Sequence, residues 1–384
     1  MTPPASASPF RGFLQAGFES STHRRKDRRQ LDMVAATRHD AMAAQDYRLL
    51  AEAGIATARD AARWHLIETA PGRYDWSSFL PVLRAARRAG VQVAWDICHY
   101  GLPHDIDIFS PGFIDRFAGA LARLVRNESD AAPIWCPVNE ISFWAWSGGD
   151  MGDMHPHARG RGHALKRQLV RAYLAGLRAA REVDARARFL QAEPLINVLP
   201  RPGRAEDREP AEAHRRAQFQ AWDMIAGRSD GDLGGSEDCL DMLGVNFYFN
   251  NQWFREAETI GFGHPLFRPF PDMLAELHAR YRRPIVVTET GAEGASGPGW
   301  LRYVLGEIRR ALRDGLPILG VCLYPAMDYP RWDDGRHCRC GLIELDAEWD
   351  QRRPDPDMTR QIREETELLA RAGNAHPAGA RLRA

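Results

Sequence analysis

The amino-acid sequence predicts a single parallel (β/α)8 barrel in the α/β class, formed by residues 10–373. Three observations support this fold. Short apolar runs alternate with helical patterns eight times, the 384-residue length fits one such barrel, and no linker rich in Gly, Pro or Ser divides the chain. Residues 1–9 and 374–384 lie outside the pattern and are predicted to be flexible tails.

The eight strands are predicted at residues 12–18, 55–59, 91–98, 132–138, 188–192, 239–247, 284–289 and 317–323. The third is apolar along most of its length, as expected for a strand buried on both faces. Helices are predicted between the strands, at residues 35–53, 77–89, 113–125, 165–177, 201–226, 273–281 and 300–312, with a closing helix at 358–369. The four-residue spacing of Phe113, Phe117, Leu121 and Val125 defines one buried helix face. Gly90 ends the second helix, where glycine is common.

Polar residues concentrate where the predicted strands end. Active sites of such barrels form at the carboxyl ends of the strands. The residues found there are Arg59, Asp60, His99, Asn139, Glu140, Glu193, Asn246, Tyr248, Glu289, Tyr324 and Asp328. Each alone has a structural explanation, because strand ends meet water. Together they predict a site.

Two of these strand ends deliver a glutamate, Glu140 and Glu289. A pair of carboxyl groups is what glycoside hydrolysis requires, with the groups about 5–5.5 Å apart in retaining enzymes and further apart in inverting enzymes. The sequence does not fix this separation. Tyr100, Trp144, Trp146 and Trp332 lie in neighbouring loops, where aromatic rings suit either the apolar faces of sugars or loop packing.

Composition excludes several other classes of protein. Lys+Arg and Asp+Glu both number 51, so the chain has no net charge of the kind that would indicate a nucleic-acid or membrane partner. No run of about 18 apolar residues is present, and the amino terminus lacks a secretory signal. We therefore expect a cytoplasmic protein with six reduced cysteines. His337-Cys338-Arg339-Cys340 has no second ligand pair at zinc spacing, so no metal is expected.

At its strand ends the sequence resembles glycoside hydrolase family 1, the β-glucosidase family, over about residues 11–350. The family's acid/base motif Asn-Glu-Pro resembles Asn139-Glu140-Ile141, although the proline is lost. Its nucleophile motif Thr-Glu-Asn-Gly resembles Thr288-Glu289-Thr290-Gly291. Further matches occur at Arg59 and Trp64, His99-Tyr100-Gly101-Leu102-Pro103, Asn246-Phe247-Tyr248, Tyr324, Asp328, Trp332, and Cys340-Gly341-Leu342.

The resemblance implies a role for each matched residue. Glu140 would be the general acid/base and Glu289 the nucleophile of a retaining β-glycosidase without a cofactor. Arg59 and Tyr248 would contact the nucleophile, keeping it ionised and oriented. The remaining predicted substrate-binding residues are His99, Asn139, Tyr324, Arg331 and Trp332.

Two departures from the family leave the sugar open. A glutamine of the family's first strand is missing from Ser20-Ser21-Thr22-His23, and Arg331 stands where the family has a sugar-gripping glutamate. An arginine only donates hydrogen bonds. With the basic loop 24–29, Arg331 suggests an anionic sugar such as a uronate or a phosphorylated glycoside. The alternative is that Arg331 pairs with Asp333 or Asp334 and that the loop is simply solvated.

Two other functions remain open from the sequence. A transglycosylase would use the same residues and pass the sugar to an acceptor rather than to water. A non-catalytic sugar-binding barrel would explain the altered first and eighth strands, but it has little need for both glutamates. The expected partner is a small glycoside or an oligosaccharide, and the oligomeric state is not predicted.

Overall fold

The computed structural model describes residues 8–128, 130 and 133–375. Eight parallel strands form a closed barrel in which each strand pairs with its neighbours in sequence and the last pairs with the first. The barrel strands are β1 (Leu14–Gly17), β2 (Thr57–Ala61), β3 (Gln92–Cys98), β4 (Ile134–Val138), β5 (Arg188–Pro194), β6 (Met242–Asn246), β7 (Ile285–Thr290) and β8 (Ile318–Leu323). The predicted (β/α)8 barrel is confirmed. Most of the two predicted tails lies outside the described residues.

Helices surround this barrel. The principal ones are α1 (His39–Glu52), α2 (Leu80–Ala89), α3 (Pro111–Asn127), α4 (Gly162–Val183), α5 (Arg208–Ala217), α6 (Gln220–Ile225), α7 (Phe270–Tyr281), α8 (Gly297–Arg313) and α9 (Pro356–Ala375). Within the described residues, no helix is long and apolar enough to cross a membrane.

Two predicted helices were too long. The one at 35–53 is divided into Met33–Ala36 and α1, because Arg38 adopts a left-handed conformation with φ 57°. The one at 201–226 begins with a turn and consists of α5 and α6. The second strand was placed two residues early, since β2 runs from Thr57 to Ala61. Differences of one or two residues are common at element ends.

The core lies partly inside the barrel and mostly between the barrel and its helices. Phe113, Phe117, Leu121 and Val125 are all buried on α3, as their spacing predicted. Gly90 ends α2 with φ 73°, a conformation that glycine adopts without strain. A smaller cluster takes one apolar residue from each of several strands and includes Phe10, just before β1. We infer that this cluster fills the amino-terminal end of the barrel interior, which leaves the polar residues at the opposite end.

A buried ionic network ties α1 to the barrel. His39 lies between two carboxylates, 2.8 Å from Asp46 and 3.0 Å from Asp60. Tyr47 donates a hydrogen bond to Asp60, and Arg352 pairs with Asp46. Burial alone would lower the pKa of His39, but the two carboxylates outweigh it and raise the pKa to about 9. The imidazole is therefore charged at neutral pH and holds the two aspartates together.

Candidate active site

Glu140 and Glu289 both lie at the carboxyl end of the barrel. Glu289 is within β7, and Glu140 follows β4 by two residues. Glu140 has a left-handed backbone, with φ 42° and ψ 63°, and its N–H donates to the carbonyl of Ala192 on β5. A non-glycine residue held in this conformation is strained, and such strain is common where a side chain must point into a site.

Both carboxylate oxygens of Glu289 accept hydrogen bonds. Arg59 Nη1 donates to Oε1 at 2.6 Å, and the Tyr248 hydroxyl donates to Oε2 at 2.9 Å. Arg59 is itself buried and held by Asp96, with 2.9 Å from Arg59 Nε to Asp96 Oδ1. Glu289 is thus fixed in orientation beside a permanent positive charge.

Glu140 has a different environment. Its Oε2 accepts a hydrogen bond from the Tyr100 hydroxyl at 3.0 Å, and its Oε1 accepts one from Asn246 Nδ2 at 2.8 Å. No arginine or lysine pairs with it among the described residues. Burial, together with the negative charge of Glu289, raises the pKa of Glu140 to about 7. Two glutamates of one site are therefore placed in opposite electrostatic surroundings.

Asn139 and His99 join the two halves of the site. Asn139 Oδ1 accepts a hydrogen bond from Arg59 Nη2 at 2.6 Å, and its Nδ2 lies 2.9 Å from His99 Nε2. The other ring nitrogen of His99 lies 2.9 Å from Asp96. Burial lowers the pKa of His99, but Asp96 outweighs it, so that the pKa is raised. These bonds connect Asn139, His99 and Asp96 to the arginine that holds Glu289.

Tyr324 and Trp332 extend the site toward β8. The Arg59 guanidinium lies over the Tyr324 ring, 5.6 Å from its centroid, and the Tyr324 hydroxyl accepts a hydrogen bond from Ser20 N–H. Trp332 is half-buried, with its ring edge-on to His23 at 4.9 Å. The structure therefore gathers most of the predicted substrate-binding residues around the two glutamates.

Arg331 does not join this group. Half of its side chain is exposed, at 47%, and its charged contacts are with Asp333 at 3.8 Å and Asp334 at 3.6 Å. This pairing matches the structural alternative raised by the sequence. In the basic loop, Lys26 pairs with Asp153 at 2.8 Å, and Arg25 Nη2 donates to the carbonyl of Asp333. These contacts connect the loop to neighbouring loops at the rim.

Three other polar strand-end residues have structural partners. Asp60 faces α1, because adjacent residues of a strand point to opposite sides and Arg59 faces inward. Asp328 accepts backbone hydrogen bonds from Cys340 and Gly341 and so organises the loop after β8. Glu193 is fully buried and accepts a hydrogen bond from Ser142 N–H, just beyond Glu140.

Glu19 and His23 were not predicted from the sequence as site residues, and Tyr100 was predicted only as an aromatic ring for sugar stacking or loop packing, not as a hydrogen-bond donor to Glu140. Glu19 and His23 are buried on the loop after β1, where only the missing glutamine had been considered. The predicted first strand ends at Phe18, so the rule that strand ends carry site residues would have selected Glu19. Among the described residues, no group of three or more His, Cys, Asp or Glu side chains is arranged to hold a metal ion.

No protein-family model matches the sequence. The fold is similar to that of several solved structures. A β-glucosidase from Thermotoga maritima in complex with glucoimidazole has a TM-score of 0.76 at 16% identity, covering 94% of this chain and 99% of that one. The AHE enzyme from Alicyclobacillus herbarius has a TM-score of 0.72 at 19% identity, covering 86% and 88%. The chain therefore has the barrel fold of the family 1 β-glucosidases, as the motifs predicted.

Proposed function

We propose that this protein is a retaining β-glycosidase in which Glu140 is the general acid/base and Glu289 is the nucleophile. One observation carries the proposal: the two glutamates have opposite surroundings. Glu140 is partly buried and pairs with no cation among the described residues, and its pKa is raised to about 7, whereas Glu289 is bound by Arg59 and Tyr248. Two carboxyl groups whose environments differ in this way are suited to donate a proton and to attack, respectively.

In the first step, Glu289 attacks the anomeric carbon while Glu140 protonates the departing glycosidic oxygen. The sugar is then held as an ester on Glu289, and Glu140 is left ionised. In the second step, Glu140 takes a proton from water, which attacks the anomeric carbon and frees Glu289. Arg59 and Tyr248 orient the attacking carboxylate, and Asn139 presents its amide beside it.

The neighbouring β-glucosidases support a glycoside as the substrate. Transfer of the sugar to an acceptor would use the same first step, and analysis of the products separates it from hydrolysis. The proposal does not specify whether the sugar is neutral or anionic, because Arg331 is half exposed and its only charged contacts, with Asp333 and Asp334, are long surface pairs among the described residues.

A mechanism-based 2-deoxy-2-fluoro aryl β-glycoside tests the assignment of the nucleophile. We expect mass spectrometry to find the fluorosugar attached to the peptide that contains Glu289. Glu289→Ala should abolish this label and reduce kcat by roughly 10⁴-fold or more. Glu293→Gln is a matched control, because this carboxylate is only four residues away but is half exposed and paired with Arg336.

Labelling of another residue would refute the assignment. So would absence of any label from a protein that demonstrably binds the parent sugar.

A further inference from the structure

Glu19 is a third carboxylate in the site, and the proposed chemistry does not use it. It follows β1 by two residues and is 7% exposed. It is close enough to Glu289 and His99 to interact with both electrostatically. Burial, only partly offset by His99, raises its pKa. A buried carboxylate of this kind is costly unless it has hydrogen-bond donors.

The protein supplies few of those donors. Glu19 Oε1 accepts a hydrogen bond from Ser21 N–H at 3.0 Å. Glu19 Oε2 accepts no hydrogen bond from the described residues. This oxygen is not fully buried, so a ligand can reach it. No arginine or lysine forms an ion pair with Glu19 in the described part of the chain. The free oxygen therefore remains available to a ligand that donates hydrogen bonds.

The same loop carries a second polar atom without a partner. His23 Nδ1 is buried and has no hydrogen-bond partner within the described residues, whereas the Ser21 side chain is close enough to Glu19 to stabilise its charge. His23 packs edge-on against Trp332 and Tyr100 and is 4% exposed. Buried polar atoms in proteins nearly always have partners. His23 Nδ1 lies beside the site residues Tyr100 and Trp332, and a polar ligand there would satisfy it.

Charge narrows the class of that ligand. Glu19 and Glu289 are both acidic, and the one arginine buried among them, Arg59, is already bound to Asp96 and Glu289. Arg331, the expected partner of an anionic sugar, forms no ion pair with Glu19 or Glu289 among the described residues and is half exposed beside Asp333 and Asp334. A carboxylate or phosphate on the sugar would meet repulsion, whereas neutral hydroxyl groups would donate to Glu19.

We propose that Glu19 binds hydroxyl groups of the sugar ring and makes the site selective for neutral over anionic glycosides. This inference rests on the proposed glycosidase function and specifies its substrate class. Glu19 is thus a specificity-determining residue. It lies on the loop after β1, whereas Arg331, which the sequence had suggested for this role, lies on the loop after β8.

The test measures kcat/KM for 4-nitrophenyl β-glucoside, for its 3-, 4- and 6-deoxy analogues and for the β-glucuronide. The same set of substrates is measured in the galacto series. Wild type should prefer the neutral glycoside over its uronide by at least about 10-fold in kcat/KM. Glu19→Gln keeps the shape and removes the charge. It should lower kcat/KM for the neutral glycoside by roughly 10- to 100-fold, as expected for loss of a hydrogen bond to a charged group. For the deoxy analogue that lacks the hydroxyl group bound by Glu19, Glu19→Gln should leave kcat/KM unchanged, because the hydrogen bond is already missing.

Glu293→Gln serves as the control and should leave the ratio of neutral to uronide activity unchanged. An equal loss from Glu19→Gln on every substrate would overturn the proposal, because the carboxylate would then act only through structure. A wild type that prefers the uronide would also overturn it, and this comparison needs no variant.

Calorimetry separates failure of this inference from failure of the proposed function. If no glycoside is hydrolysed, the glycosidase proposal fails, and binding of the neutral glucoside and the glucuronide is measured directly. Stronger binding of the glucoside to wild type, lost in Glu19→Gln, would still support the role of Glu19. Absence of binding, or equal binding of both, would refute it.

Discussion

Tyr100→Phe removes one hydroxyl group from the proposed acid/base and should change the pH at which the enzyme loses activity. The Tyr100 hydroxyl donates to Glu140 Oε2 and accepts from Asn139 Nδ2, each at 3.0 Å. A hydrogen bond to Glu140 stabilises the ionised carboxylate more than the neutral acid. Its loss should therefore raise the pKa of Glu140 above its value of about 7.

The magnitude follows from the energy of this one bond. A hydrogen bond to a charged group contributes about 1.5–3 kcal/mol, and one pKa unit corresponds to about 1.4 kcal/mol. The shift is then roughly 1–2 units. Because Glu140 must be protonated to donate its proton, kcat/KM falls as the pH rises through its pKa. In the variant this decline should move from about pH 7 to about pH 8–9.

The measurement is kcat/KM for an aryl β-glycoside between pH 5 and pH 10. Any disturbance of Asn139 should lower the whole curve without moving its alkaline limb. Tyr173→Phe is a matched control, since this buried tyrosine donates to the carbonyl of Cys239 and does not contact the site. An alkaline limb that stays in place or moves to lower pH in Tyr100→Phe would refute the assignment of Glu140 as the acid.

Two further substitutions test other charges. Glu193 raises the pKa of Glu140 by its negative charge, so Glu193→Gln should move the same alkaline limb to lower pH; a rise would contradict this. His39→Gln should reduce the free energy of unfolding at pH 6 by about 3 kcal/mol, the equivalent of raising a pKa from 6.5 to about 9. The raised pKa stabilises the fold fully below pH 6.5, and this contribution is lost as the pH rises through 9. Urea unfolding at pH 6 and pH 10 should therefore show a difference between wild type and His39→Gln that shrinks at the higher pH, and a constant difference would refute the role of His39.

Much of the barrel could be predicted from the sequence because its signals are local. An apolar run such as β3 identifies a strand buried on both faces, and the spacing from Phe113 to Val125 identifies the helix that covers it. Helix ends were less predictable. The left-handed backbone at Arg38 interrupts the predicted helix at a residue that is neither glycine nor asparagine, so the residue type gave no signal of the break.

The candidate site was only partly predictable for the same reason. The strand-end rule selected Arg59 and Asp60 equally, but the pleat of β2 turns one toward Glu289 and the other toward α1. Arg331 was selected by its position in a family motif, and only the folded loop shows that its side chain is half exposed beside Asp333 and Asp334.

The sequence by itself determined that this protein is a barrel with two glutamates at the ends of apolar strands, because strand pattern and strand order are written along the chain. Only the tertiary structure decided what distinguishes those glutamates. The pKa of Glu140 depends on burial and on the charge of Glu289, and Glu19 enters the site because β1 pairs with both β2 and β8. These effects act through space between residues distant in sequence, so they exist only once the barrel has closed.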